Sequence, residues 1–378
     1  MAISSASATF SRFHVPDPVT EDFWSYLAEC LRAGYFRELE DDQEQSVGFS
    51  AWDDFFDASF VNASYHKGDY VAFNLRVDQR RVPAVMLRYR VRQALQAYRR
   101  EHDGRWPSRQ EKEQLREAVH MGLLKRSLPL PSACEAIWNP EKRWLLVGTT
   151  SRKILETFLE HFEKHFRLFP VPLYHVNWAL HLLTLDGRQK DLLTGLVSPK
   201  STQALQDGRF LGYEFLTWLW FFSEQSQGVL TLPNAHTVTV TLGERLVLSH
   251  PDDGRERVVC TTQALALHEA RTALQQGKRL QEAQLILTAG DNEYSLTLDA
   301  TLWSIKGMKT PGQLPDFDAE DQDGRFLEKM FFLEEVFAVL NALYDRFLAQ
   351  RLSSAWESDT LPVLKQWIEG KDLLPVPF

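Results

Sequence analysis

Two histidines spaced four residues apart, His161 and His165, could in principle support metal chemistry. Side chains at i and i+4 share one face of a helix, so two imidazoles could bind one metal ion. The helical zinc motif of metalloproteases also needs a glutamate directly after the first histidine, and here that position is Phe162. We therefore interpret both histidines as flanking the apolar stripe of a helix on its solvent edge, without a metal.

Three aspartates, Asp53, Asp54 and Asp57, surround two phenylalanines and form a second candidate for chemistry. Clustered carboxylates can hold a divalent ion for phosphodiester hydrolysis, as in metal-dependent nucleases. Their spacing matches no metal motif, and a solvated turn explains them more simply. A metal-dependent nuclease is kept as the alternative function.

Motifs for nucleotide binding and for nucleophilic catalysis are missing. The sequence contains neither of the usual glycine-rich phosphate loops, and Ser151 lacks the G-x-S-x-G context of hydrolases. The three cysteines, Cys30, Cys134 and Cys260, lie far apart without C-x-x-C spacing, which is typical of a reducing cytoplasm. We expect a binding protein without a cofactor, and not an enzyme.

The basic residues are unevenly distributed, and this distribution is the strongest functional signal. Residues 80–126 include 13 basic and five acidic residues, which give this segment a net charge of +8. The whole chain has a net charge of −9, so the remaining residues carry a net charge of −17. Lys and Arg at phosphates supply most of the affinity of proteins for DNA. Such an asymmetry can direct a polyanion to one surface. The alternative interpretation is a pair of solvated helices with arginine-rich faces.

The elements that would position these cations are two helices. Residues 84–101 contain neither Gly nor Pro, and apolar residues recur in them at helical spacing beside Arg88, Arg92 and Arg99. Gly104, Trp106 and Pro107 interrupt the pattern. Ser108 and Glu111 then form a capping box for a second helix that ends near residue 124. The pattern predicts a rigid helical hairpin with basic flanks.

The rest of the chain predicts an α+β fold with antiparallel sheets and long helices. Alternating or apolar runs predict strands, and 3.6-residue periodicity predicts further helices. The aromatic run 215–222 is interpreted as core. The predicted single strands are 8–14, 70–77, 133–139 and 144–149. Two hairpins are predicted, one formed by 237–241 with 245–249 and the other by 283–288 with 293–299. The further predicted helices are 20–33, 151–166, 264–276 and 325–352.

Membrane insertion and export are not expected. The most apolar stretch, residues 215–222, is too short to cross a bilayer, and residues 1–10 lack the basic and apolar regions of a secretory signal.

The basic hairpin and its surroundings resemble the RdgC family of recombination-associated proteins. The matching features are the proline followed by an alanine-rich helix (PAVMLRYRVRQALQAY), the charged second helix (EKEQLREAV), and the L-L-x-R-x-hydrophobic step that ends at Leu128. Two strands then lead to a helix and to Phe169-Pro170-Val171-Pro172-Leu173. The resemblance is strongest over residues 83–173 and looser over 8–350.

The resemblance implies a ring-shaped homodimer that encloses duplex DNA in a positively lined hole. It also implies binding without sequence preference, association with the nucleoid in the cytoplasm, and restraint of the RecA recombinase during recombination and replication restart. Arg126 matches the arginine at the end of the second helix, and Leu128 stands where the family has an aromatic residue. Gln263 matches a polar position of the ring tip, while Thr262 replaces a lysine.

We therefore expect a non-specific binder of double-stranded DNA, with single strands left open, that forms homodimers. A protein-interaction scaffold is a further alternative. The expected regions are 1–82 (N-terminal α+β), 83–173 (basic hairpin and β-β-α), 174–300 (mixed α/β with the ring tip) and 301–378 (C-terminal helix and tail). The expected DNA-binding residues are Arg88, Arg92, Arg99, Arg100, Lys125 and Arg126, with Gln263, Lys278 and Arg279 as weaker candidates.

Overall fold

A 13-stranded sheet forms the framework of the protein, and every pairing between its described strands is antiparallel. The structure is a computed structural model. It describes residues 3–17, 22–40, 43–173, 175–196, 209–250, 256–261, 263–311 and 322–370. Together with the helices below, this sheet confirms the expected α+β fold class.

The principal path of the sheet has the order β10-β9-β11-β12-β13-β1-β6-β5-β4-β2, with β3, β7 and β8 pairing beside it. The strands are β1 (Ala8–His14), β2 (Gln45–Ala51), β3 (His66–Lys67), β4 (Tyr70–Gln79), β5 (Leu130–Asn139), β6 (Trp144–Val147), β7 (Val171–Pro172), β8 (Val229–Thr231), β9 (Thr237–Ser249), β10 (Val258–Cys260), β11 (Arg279–Ala289), β12 (Asn292–Asp299) and β13 (Ile305–Lys309).

Ten α-helices accompany the sheet in the described part of the chain. They are α1 (Phe23–Ala33), α2 (Ala84–Glu101), α3 (Arg109–Leu124), α4 (Arg152–Phe166), α5 (Val176–Leu182), α6 (Gly187–Leu196), α7 (Arg209–Gln225), α8 (Gln263–Gln275), α9 (Gln322–Arg351) and α10 (Leu361–Ile368).

The sheet is buried on both faces around β4, β5 and β6. Successive side chains of a strand point to opposite faces, so neighbours such as Ala72 and Phe73 enter different cores. One core lies between these strands and helices α1 and α4, where Phe158 and Phe162 are fully buried. The other core lies against α7 and α9 and continues under the β9 to β13 half. Helix, sheet and helix thus form three layers here.

Strand β1 connects the two halves of the sheet. Its first residues pair with β13, with Phe10 opposite Ile305, whereas residues Ser11 to His14 pair with β6. Phe10 belongs to the larger core and Phe13 to the core beneath α1 and α4. One short strand therefore contributes hydrogen bonds and side chains to both halves.

The aromatic run 215–222 lies in the middle of α7 and is core, as interpreted from the sequence. Phe215, Trp218 and Phe222 are fully buried, and Trp218 stacks on Phe222 with ring centroids 5.2 Å apart. The indole nitrogen of Trp218 donates a hydrogen bond to the side chain of Gln350, 2.8 Å away. No helix in the described ranges has the length and apolar composition of a membrane span.

One predicted hairpin is wrong. Residues 237–249 form the single strand β9, which pairs with β11 along its length, and no turn separates its two parts. Gly243 marks an irregularity in register where the side chain of Gln284 packs against its backbone, and the Arg245 amide donates to that side chain. Glycine together with polar neighbours signals both turns and bulges, and here it marks a bulge.

The other predicted elements are present with small shifts at their ends. The helix over 84–101 and the strand over 8–14 have the predicted bounds, and the hairpin of β11 and β12 is confirmed with its turn at Gly290 and Asp291. The predicted start of the first helix at Thr20 lies outside the described residues, and the described helix begins at Phe23.

Candidate nucleic-acid interface

A helical arm, defined here as residues 84–124, leaves the sheet between β4 and β5. Gln79 at the end of β4 pairs directly with Leu130 at the start of β5. The arm is therefore inserted where an ordinary hairpin would need only a short turn. It consists of α2, a loop and α3, and the two helices run back along each other.

The arm protrudes, because its helices are covered mainly by each other. No residue of α2 is buried, and in α3 only Leu124, at the base, is buried. The predicted stripe of Leu87, Val91, Leu95 and Tyr98 is only half-buried. A protruding pair of helices exposes most of its charged side chains to a ligand.

The loop at the end of the arm is held by a hydrogen-bond network. Ser108 and Glu111 form the predicted capping box, with the Ser108 amide 2.7 Å from a Glu111 carboxylate oxygen. The Tyr98 hydroxyl donates to the same carboxylate at 2.6 Å, and Arg105 bonds both Tyr98 and Glu111. These bonds, that of Tyr98 first, lower the pKa of Glu111 to about 2. The loop therefore has a defined conformation that fixes the end of each helix.

Three of the predicted arginines form a stripe along α2. At about 100° per residue, Arg88, Arg92 and Arg99 fall within about 40° of one another and span about 16 Å along the helix. All three are exposed, and none forms an ion pair with a described carboxylate. Arg100 is also exposed but lies to one side of this stripe. We call Arg88, Arg92 and Arg99 the α2 stripe.

The two other principal candidates, Lys125 and Arg126, lie at the base of the arm. Lys125 caps the C-terminal end of α3, and both side chains are exposed. Because α3 returns toward the sheet, these cations belong to the end of the arm where α2 begins. The structure thus places four of the six principal candidates on α2 and the other two at the base of the arm.

The three weaker candidates lie elsewhere. Lys278 is buried, and its ammonium group is 3.3 Å from a Glu256 carboxylate oxygen, so it is not a free cation. Arg279 is exposed at the start of β11, and Gln263 begins α8 with a side chain outside the described set. Five strand positions separate β11 from β5, about 24 Å along the sheet. Within one subunit these residues do not extend the basic surface of the arm.

Sequence reasoning missed a second set of cations on α3. Arg109, Lys112 and Arg116 have the i, i+3, i+7 spacing that places side chains on one helix face, and all three are exposed. We call them the α3 stripe. The spacing alone could have identified them. It was overlooked because Glu113 and Glu117 alternate with them and make the helix look uniformly charged.

The aspartates considered for a nuclease site form a turn. An oxygen of Asp54 accepts the Phe56 amide at 2.9 Å, and an oxygen of Asp57 accepts the amide and hydroxyl of Ser59, which lower the pKa of Asp57. Across the described residues, no three His, Cys, Asp or Glu side chains are grouped so that they could hold a metal ion.

The two histidines of α4 are packed more closely than expected. His161 does not lie on the solvent edge, since its Nε2 atom is 2.9 Å from the Gly34 carbonyl oxygen and its ring meets Phe49 edge-on. Burial lowers the pKa of His161 to about 4 and also lowers that of His165. Both act as packing residues of α4.

Comparison with known families bears on the segment that contains the arm. Residues 11–183 match the family model described as "Putative exonuclease, RdgC". Over these residues the chain is similar to the RdgC family. The match to RdgC includes residues 11–14 of β1, the whole arm and the strands and helix that follow the arm. No curated protein matches the sequence.

This match to the RdgC family model points to a recombination-associated role in DNA binding. The matched segment holds all six principal candidates, whereas Gln263, Lys278 and Arg279 lie outside it. The resemblance inferred from residues 83–173 is thereby confirmed at the level of the family.

Proposed function

We propose that this protein binds double-stranded DNA without sequence preference through the cations of its helical arm. The observation that carries the proposal is the α2 stripe, three exposed arginines on one helix face without a carboxylate partner among the described residues. Arg100 adds a further exposed cation to the arm, and Lys125 and Arg126 add two more at its base. Such groups bind phosphate oxygens, which are the same in every DNA sequence.

The acidic residues in the rest of the chain favour binding of DNA through the arm. The residues outside 80–126 carry a net charge of −17. Most of the surface therefore repels a polyanion, while the arm attracts it. A negative total charge is therefore compatible with DNA binding when the cations are gathered on one projecting element.

The salt dependence of binding tests the proposal. About six phosphate contacts predict a decrease in affinity of about 10³-fold between about 50 and about 200 mM salt, because each contact releases bound counterions. Fluorescence anisotropy with duplexes of unrelated sequence measures both this decrease and the absence of sequence preference. Equal affinities at the two salt concentrations would contradict phosphate-based binding.

Charge reversal locates the binding surface. In the variant with Arg88→Glu, Arg92→Glu and Arg99→Glu, we expect binding at low salt to be almost abolished and the salt dependence of any residual binding to be shallower by about three contacts. The matched control, Arg152→Glu, Lys153→Glu and Lys164→Glu, makes the same change in charge at exposed positions of α4. If both triple variants lost the same affinity, the arm would not be the specific site. Unchanged DNA binding by the arm variant would favour the protein-interaction scaffold.

We further propose that two copies assemble into a ring around the duplex and restrain the RecA recombinase in recombination and replication restart. Family resemblance supports this proposal, and so does the base of the arm. There, Leu128 is 84% exposed and Leu130 is 57% exposed, so apolar surface is available for a second copy. Light scattering should give a mass twice that of one chain, and Leu128→Glu should shift it toward the monomer.

The description of the matched family names an exonuclease, and the same DNA substrates test that activity. Linear duplex incubated with the protein and Mg²⁺ or Mn²⁺ is expected to be retarded at full length. Progressive shortening that depends on the metal would instead establish nuclease activity.

A further inference from the structure

The end of the arm carries an exposed aromatic residue, Trp106. Its side chain is 60% exposed, which is unusual for the largest apolar residue type. Pro107 beside it is buried, and Gly104 two residues before it has the positive φ of 85° that favours glycine. Together with the network of Tyr98, Arg105 and Glu111, this backbone holds the indole at a fixed place on the tip.

The two basic stripes meet at this indole. The guanidinium carbon of Arg99, from the α2 stripe, lies 4.2 Å from the ring centroid, and the ammonium nitrogen of Lys112, from the α3 stripe, lies 6.0 Å from it. Residues from both helices therefore approach the same ring. Phosphates that follow either stripe toward the tip would bring the adjoining bases to Trp106.

We propose that Trp106 stacks on an unpaired base and thereby gives the arm a preference for duplex DNA that contains a short single-stranded gap. This inference rests on the proposed function, since the stripes must first bind the flanking backbone. The α2 and α3 stripes hold phosphates on either side, and the indole supplies a flat apolar surface between them.

The energetics of stacking favour a gap over an intact duplex. Each base in an intact duplex is already covered on both faces, and it must be unstacked before an indole can contact it. A base in a gap is already accessible and stacks on an aromatic side chain whatever its identity. The indole should therefore add affinity for gapped DNA and little for continuous duplex.

The test compares a continuous duplex with the same duplex carrying a short central gap, at one salt concentration. We expect the native protein to bind the gapped DNA about tenfold more tightly, equivalent to about 1.4 kcal/mol. Trp106→Ala should remove this preference and leave affinity for the continuous duplex within about twofold, while Trp106→Phe should retain most of it. Trp24→Ala is the matched control, because Trp24 is 37% exposed on α1 and away from the arm.

The outcomes separate this inference from the function on which it rests. If the native protein binds both DNAs with steep salt dependence but without a preference, or if Trp106→Ala weakens both equally, the stacking role is wrong while phosphate binding stands. If neither DNA is bound, the proposed function itself fails. Far-ultraviolet circular dichroism shows whether Trp106→Ala keeps its helices, and Trp106→Leu separates loss of the flat ring from loss of apolar volume.

Discussion

Single residues of the arm illustrate what a sequence pattern can and cannot predict. The capping box of Ser108 and Glu111 was predicted from spacing alone, because it depends only on residues three positions apart in one helix. The contact between Arg99 and Trp106 could not be predicted in this way. It depends on how the loop folds back, which local spacing does not determine.

His161 gives a prediction about stability and pH. Its pKa of about 4 in the folded protein lies below the usual value of about 6.5, because burial disfavours the charged ring. Between these values the unfolded chain binds the proton and the folded chain does not, so acidification favours unfolding. The contribution of His161 is fully present above about pH 6.5 and is lost progressively toward pH 4, by about 2 to 3 kcal/mol.

Urea unfolding of the native protein and of His161→Gln at several pH values measures this contribution. The glutamine amide can still donate a hydrogen bond to Gly34 but does not titrate, so the variant should lose less stability than the native protein between pH 6.5 and 4. His14, His165 and His181 also have lowered pKa values and should produce a remaining pH dependence in both proteins. Parallel curves for the two proteins would show that His161 is not responsible.

At the scale of elements, regular periodicity was the reliable signal. The bounds of α2 follow from a stretch without Gly or Pro, and the hairpin of β11 and β12 follows from alternation around a glycine turn. The hairpin predicted over residues 237–249 was wrong because the deciding contact is not local in sequence. Whether a glycine ends a strand or forms a bulge depends on the partner strand, here on Gln284 of β11, and the sequence of β9 does not contain that information.

Excision of the arm tests whether the rest of the protein folds without it and whether DNA binding depends on it. Because Gln79 and Leu130 are paired, residues 80–129 can be replaced by Asn-Gly, which forms a two-residue hairpin turn. Within residues 84–124 only Pro107 and Leu124 are buried, and the one described salt-bridge contact of the arm with the body joins His120 to Glu44. The excision also removes the hydrogen bonds of Arg80 to the carbonyl oxygens of Glu40 and Gln43. These are few contacts, so we expect the melting temperature to change by no more than about 5 °C. DNA affinity should be lost almost completely.

Circular dichroism melting and anisotropy with duplex DNA check the two halves of that expectation. An excised protein that still binds DNA with the native salt dependence would place the interface on the sheet. An excised protein that fails to fold would show instead that the arm stabilises the body.

At the scale of the whole molecule, the sequence predicted the class of fold but not its connectivity. Nothing in residues 8–14 indicates that β1 pairs with β13 on one side and β6 on the other, since these contacts join residues about 300 and about 130 positions apart. For the same reason the sequence could not show that cations near β11 are separated from the arm. Local patterns therefore predicted the helices that carry the principal candidates, and not where the weaker candidates lie relative to them.

The shared strand predicts that both halves unfold together. Phe13 is buried in the core beneath α1 and α4, and its replacement by alanine should cost about 3 to 5 kcal/mol. Since β1 also pairs with β13, hydrogen exchange should become faster in β11 and β12 as well as near the substitution. Exposed Phe331→Ala is the control and should change little. Two separate melting transitions in Phe13→Ala would contradict this coupling.

The helical geometry of the arm restricts how its length can change in related proteins. An insertion of seven residues turns the outer part of a helix by only about 20° and keeps Arg99 nearly in line with Arg88. Two extra residues would rotate the outer part by about 200° and send the tryptophan to the opposite side. In related proteins that keep the basic stripe and the tryptophan on the same side of the arm, the two helices should therefore differ in length by about seven residues or a multiple of seven.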